Sequence, residues 1–133
     1  MAQRTLIAVL IMAAILVLNL FRPYVLIFPE LGESFFFALI ALEHGVGFFV
    51  AATIGGYIAR RSMLVPACGL WIGYWIISFA LMFAFMPANG SDRTIELLPW
   101  SVGGFFLTGV ATILGVKLGL LIYIRKLEQP DAA

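Results

Sequence analysis

The chain has very little from which to build an enzyme or a metal site. Its 133 residues include one cysteine, Cys68, and one histidine, His44. One cysteine excludes an intrachain disulfide and any paired-cysteine redox motif. One histidine excludes bis-histidine haem ligation within a single chain and leaves a zinc site without a ligand set. Charge is equally scarce. Asp, Glu, Lys and Arg make up 11% of the sequence, and the net charge is +1. No basic stretch is present to hold nucleic acid, and no acidic run to draw a cationic partner. The expectation is no cofactor, no metal and no catalytic residue.

Apolar residues dominate instead, at 63% of the chain, with a mean hydropathy of +1.09. A soluble domain is roughly half apolar and about a quarter charged. A chain this short cannot hide that excess in its own interior, whereas a lipid bilayer can accept it. The composition therefore points to an all-α integral membrane bundle whose first partner is the bilayer itself.

A spanning helix needs about 20 mostly apolar residues. Four segments qualify. The first runs from Thr5 to Phe21, between Arg4 and Arg22-Pro23. No A-x-A-like cleavage site follows it, so it reads as a retained helix and not as a signal peptide. Pro23 to Glu33 reads as a loop or an interfacial segment. The second helix runs from Ser34, a suitable N-cap, to Ala59 before Arg60-Arg61. The third runs from Met63 to Met86, with Pro66 in its first turn, where a missing N–H costs little. Pro87 to Pro99 reads as a polar loop. The fourth begins at about Leu98 and runs to Ile124, with Arg125-Lys126 beyond. Residues 1–133 thus form one membrane domain with four transmembrane helices.

Orientation follows from the basic residues. Four spans put the N-terminus, the second loop and the C-terminus on one side. That side carries six cations: Arg4, Arg60, Arg61, Lys117, Arg125 and Lys126. The other carries two, Arg22 and Arg93. Both termini are expected inside, in a bacterial inner membrane. The second and fourth helices also share a local pattern. Gly47-Phe48-Phe49-Val50 resembles Gly104-Phe105-Phe106-Leu107, and Ala52-Thr53-Ile54 resembles Ala111-Thr112-Ile113. This suggests two parallel helical hairpins.

Small residues recur at helical spacing. Gly47, Ala51, Gly55 and Ala59 follow one another every four residues. Gly69 and Gly73 form a GxxxG in the third helix. Gly104, Thr108, Thr112, Gly115 and Gly119 line the fourth. Small residues let membrane helices approach closely, where lipid offers no hydrophobic drive to associate. The plain reading is packing within the bundle, and the sharper one is a seam between copies in a homo-oligomer. Trp71 and Trp75 share one face of the third helix, facing lipid or a pocket wall.

Glu43-His44 is the most informative pair. A charged acid near the middle of a spanning helix costs about 2.5–3.5 kcal/mol on insertion scales. Glu43 stands four residues before Gly47 and so continues the small-residue row, which predicts that it faces protein. Three roles compete: structural contact, a proton or cation site, and a polar-ligand site. Adjacent residues point about 100° apart, so the two side chains need not share a site. Asn19 and Arg22 lie at a compatible depth as partners for Glu43. Lys117 ranks below them because it lies deeper, or else marks the membrane boundary with Leu118 to Ile124 running along the surface.

The stretch Gly55-Gly56-Tyr57-Ile58-Ala59-Arg60 is similar to hairpin ends in uncharacterised four-helix bacterial inner-membrane proteins. The resemblance covers about one helix and implies that fold without an activity. The small multidrug resistance family carries its carboxylate in the first helix, where this chain has none. The sequence expectation is a structural or accessory membrane subunit, packed as a homo-oligomer or on a larger membrane partner. The alternative is an oligomeric proton- or cation-coupled transporter or channel built around Glu43.

Overall fold

The computed structural model of the chain describes residues 2–20, 33–85 and 91–128, with side chains for residues 3–18, 41–81, 83–84 and 101–128. It is all-helical. The helices are α1 (Ala2–Leu20), α2 (Glu33–Ala59), α3 (Leu64–Phe85) and α4 (Ser91–Glu128). Three of them are long and apolar enough to cross a membrane, over Ala41–Ala59, Leu64–Leu81 and Ser101–Glu128. In α1 the described apolar stretch is the shorter Gln3–Leu18.

α4 departs most from the sequence expectation. It is helical from Ser91, well inside the segment read as a loop, and it continues through Ile124 to Glu128. Its 38 residues measure about 57 Å at the helical rise of ~1.5 Å per residue. The polar residues and Pro99 suggested a break. A helix has no need to be apolar along its whole length, however, and a proline removes only one backbone donor and kinks the helix. α4 also stays a single helix past Lys117, so Leu118 to Ile124 does not turn away from it. Phe21 and Met86, the expected ends of the first and third helices, lie outside the described residues, as do Pro23 to Gly32.

The connection between α2 and α3 is short and well terminated. Arg60 adopts a left-handed backbone with φ 57°. Its N–H reaches back to the Gly56 carbonyl at 3.3 Å, which satisfies one carbonyl left over at the end of α2. Three residues on, the Met63 carbonyl accepts the Ala67 N–H at 3.0 Å and opens α3. Pro66 falls in that first turn, where its missing donor would have had no partner.

Around the bundle the neighbours run α1, α2, α4, α3 and back to α1. The principal contact is α2 on α4, more extensive than the contact within either sequence-adjacent pair. These two helices run in the same direction. Gly45 meets Leu107, Gly115 meets Phe49 and Ala52, and Gly119 meets Thr53 and Tyr57, so the numbers rise together. α3 runs antiparallel to α4: Trp71 lies against Gly109 and Trp75 against Gly104. The core they enclose is lined largely by small residues and methionines: Ala8, Met12, Ala51, Ala52, Met63 and Ala67 are all fully buried. Phe48 is the largest side chain fully buried there, while many bulky side chains point outward, with Val65 85%, Leu18 73% and Phe106 64% exposed.

Candidate functional site

Among the described residues, the α2–α4 seam, the α3–α4 tryptophan contact and the Glu43-His44 pair concentrate polar or conformationally demanding residues within the bundle.

The seam is built from backbone. A Cβ on Gly56 would lie 2.6 Å from the Val116 carbonyl oxygen, and one on Gly115 would lie 2.6 Å from the Phe49 carbonyl oxygen. A Cβ on Gly119 would run into the Thr53 carbonyl oxygen. Here the two helices touch main chain to main chain, and only hydrogen fits at these α-carbons. Gly55 differs, because its neighbours are the sulfurs of Met12 at 2.7 Å and Met63 at 3.2 Å. Those belong to flexible side chains that can yield. Thr53 and Thr112 turn their hydroxyls onto the carbonyls four residues earlier, Phe49 and Thr108, both at 2.7 Å. Both hydroxyls are thereby satisfied within their own helices. A Cβ added to Gly69 or Gly73 of α3 would have nothing within 4 Å, so these two glycines hold no helix contact among the described residues.

The tryptophan contact centres on Thr108, which is fully buried. Both indole N–H groups, from Trp71 at 3.1 Å and Trp75 at 2.9 Å, donate to its Oγ1. The same hydroxyl donates to the Gly104 carbonyl at 2.8 Å, with the Phe105 carbonyl at 3.0 Å. A hydroxyl offers two acceptor sites and one donor, and all three are used. The glycines make room for the rings: a Cβ on Gly109 would meet Trp71 at 2.8 Å, and one on Gly104 would meet Trp75 at 3.2 Å. Phe105 completes the contact, its ring centroid 4.3 Å from that of Trp71 and 5.9 Å from that of Trp75. Sequence spacing puts the two tryptophans on one face and Thr108 in a small-residue row, but it does not bring them together. The i, i+4 pairing of Trp71 and Trp75 and the glycines flanking Thr108 were the available signals.

Glu43 and His44 diverge. His44 points inward, its ring 6.2 Å from that of the buried Tyr74, which also meets Phe48 edge-on at 4.9 Å. Glu43 is half-buried, and its neighbours Leu42 and Val46 are 58% and 56% exposed. The row running through Gly47, Ala51, Gly55 and Ala59 explains this placement. Steps of four residues overshoot a 3.6-residue turn by about 40° each. The row is buried at Ala51, Gly55 and Ala59, half-buried at Gly47, and has wound toward the flank by Glu43. The row therefore brings Glu43 to a half-buried position at the edge of the core. Lys117 is exposed on α4, level with the Gly56–Val116 contact. Gly56 lies about 20 Å along α2 from Glu43 at the helical rise, so Lys117 is not the partner of Glu43. Arg22 lies outside the described residues, and the side chain of Asn19 is likewise not described. No family model matches the chain, and no curated protein or solved structure matches it.

Proposed function

We propose that the protein is a multi-pass membrane subunit without catalytic activity, which crosses a bacterial inner membrane four times and packs against copies of itself or a larger membrane partner. The observation that carries this reading is the α2–α4 seam. Main chain lies against main chain through Gly56, Gly115 and Gly119, and the Thr53 and Thr112 hydroxyls beside it are bonded to carbonyls of their own helices, an arrangement suited to packing and not to a solute path. The outward display of Val65, Leu18, Ile76 and Phe106 over a small-residue interior supports a lipid environment. In α1, Gln3–Leu18 covers about 24 Å at the helical rise. Local thinning and flanking residues extend such a stretch to a full crossing.

The orientation rests on the basic residues. Arg60, Arg61, Arg125 and Lys126 gather at one end of the bundle, where Tyr57 meets Tyr123. Both termini are expected in the cytoplasm. Reporter fusions after Ala133 and at Asn89 should report cytoplasm and periplasm respectively. A periplasmic C-terminal fusion would refute the orientation or the count of four crossings.

A second reading, an oligomeric proton- or cation-coupled transporter or channel, is favoured by one observation. Glu43 sits on the flank of α2 beside exposed Leu42 and Val46, where it can reach another chain. Glu43→Gln and Glu43→Leu separate the two. For a structural contact, Gln should keep stability within about 0.5 kcal/mol of wild type. Leu should cost about 1–3 kcal/mol by leaving the partner group unpaired. For an ion site, Gln should fold normally yet abolish pH-dependent flux in reconstituted vesicles. A flux lost in a folded Gln variant would overturn the subunit reading.

A further inference from the structure

We propose that the end of the bundle where α2 and α4 terminate is a binding site for a phosphate-bearing anion, the head group of an anionic phospholipid. This inference rests on the membrane reading above. The site is assembled from two helices and the turn after α2. The Arg60 guanidinium lies 5.0 Å from the centre of the Tyr123 ring. The Lys126 ammonium donates to the Tyr57 hydroxyl at 3.3 Å. The two tyrosine rings meet edge to face, 6.3 Å between centroids. Each ring of the aromatic pair therefore engages one cation, while Arg61 and Arg125 stand exposed at the same end.

Like charges repel, and clustering them has a cost that counter-charge normally offsets. Among the described residues, no carboxylate pairs with Arg60, Arg61, Arg125 or Lys126. The carbonyl ends of α2 and α4 carry only a partial negative charge, which complements cations in the last turn. The opening turn of α3, only four residues after Arg60, adds partial positive charge at the same end. The backbone is committed to this placement as well. Arg60 holds a left-handed conformation that side-chain-bearing residues rarely adopt, and this aims its side chain across at α4. A guanidinium held by cation–π attraction still has N–H donors to offer, and their fork matches two phosphate oxygens. Lys126 adds a point charge. The tyrosines supply the amphipathic rings that sit at head-group level.

The test uses the full-length protein purified in a neutral detergent, with native mass spectrometry as the readout. Phosphatidylglycerol and phosphatidylcholine of matched acyl chains are offered, and inorganic phosphate is offered separately. Wild type should retain phosphatidylglycerol in preference to phosphatidylcholine. The double variant Arg60→Gln, Lys126→Gln should lose that preference by roughly thirtyfold, the effect of removing two interfacial cations. Arg60→Lys, which keeps the charge but not the fork, should fall in between. Arg93→Gln removes one cation at the opposite end of α4 and should leave the preference unchanged. Retention of inorganic phosphate without phosphatidylglycerol, lost in the double variant, would assign the same chemistry to a free anion. Equal retention of both lipids by wild type, or an equal loss in Arg93→Gln, would overturn the site. Helical circular dichroism on each variant guards against unfolding. Failure of the membrane reading would look different, because the protein would then leave cell membranes on alkaline extraction, whatever lipid it binds.

Discussion

Gly119→Ile is expected to destabilise the bundle by more than the ~1–3 kcal/mol typical of forcing extra atoms into a packed core. A Cβ at this position runs into the Thr53 carbonyl oxygen and lies 2.8 Å from the Tyr57 backbone nitrogen. Neither atom can move without displacing α2 as a whole. Gly115→Ile should behave similarly, since its Cβ would meet the Phe49 carbonyl oxygen at 2.6 Å and the Ala52 Cβ at 2.8 Å. Gly55→Ala should cost far less, because Met12 and Met63 can swing aside. Gly73→Ala, with open space around its α-carbon, should be neutral or gain a few tenths of a kcal/mol, because glycine is a poor residue in a helix interior. Thermal unfolding of the purified variants in detergent ranks them. Comparable losses for Gly119→Ile and Gly73→Ala would show that the α2–α4 seam is not where the helices meet.

Thr108→Val should produce the second large effect. Valine matches threonine in shape but removes the hydroxyl that accepts two indole N–H groups. A buried donor left unpaired costs about 1–3 kcal/mol, so the loss should reach about 2–6 kcal/mol if both tryptophans stay in place. The change should also be visible in tryptophan emission, shifted to shorter wavelength as the indoles lose their hydrogen bonds. Thr108→Ser keeps the hydroxyl and should restore both the stability and the spectrum. A Val variant with wild-type melting and emission would remove Thr108 as the anchor between α3 and α4. The two predictions concern different helix pairs, so their effects should add.

The comparison of Gly55 with Gly56 shows how far the sequence could be read. Both residues lie in one Gly-Gly pair near the end of α2. Spacing by fours selected Gly55, because it continues Gly47 and Ala51. The main-chain contact falls on Gly56, which faces Val116. Periodicity identifies a face to within a residue or so, whereas the neighbour's position decides which α-carbon needs to lack a side chain. The GxxxG of α3 teaches the same lesson in reverse. Gly69 and Gly73 match a packing motif and pack against nothing among the described residues.

Composition and apolar run length by themselves determined that the chain is helical, and where most of the helices lie. The reason is local: apolar stretches longer than about 18 residues, without charges, have few other ways to satisfy their backbone. The near absence of cysteine and histidine likewise bounded the chemistry without any coordinates. Only the tertiary structure decided which helices touch. That choice depends on residues far apart in the chain, such as Trp71 with Thr108 or Arg60 with Tyr123. It also decided how deeply Glu43 is buried. The deciding quantity there is the ~40° by which each four-residue step overshoots a helical turn, and it acts only once a neighbouring helix defines which side is in.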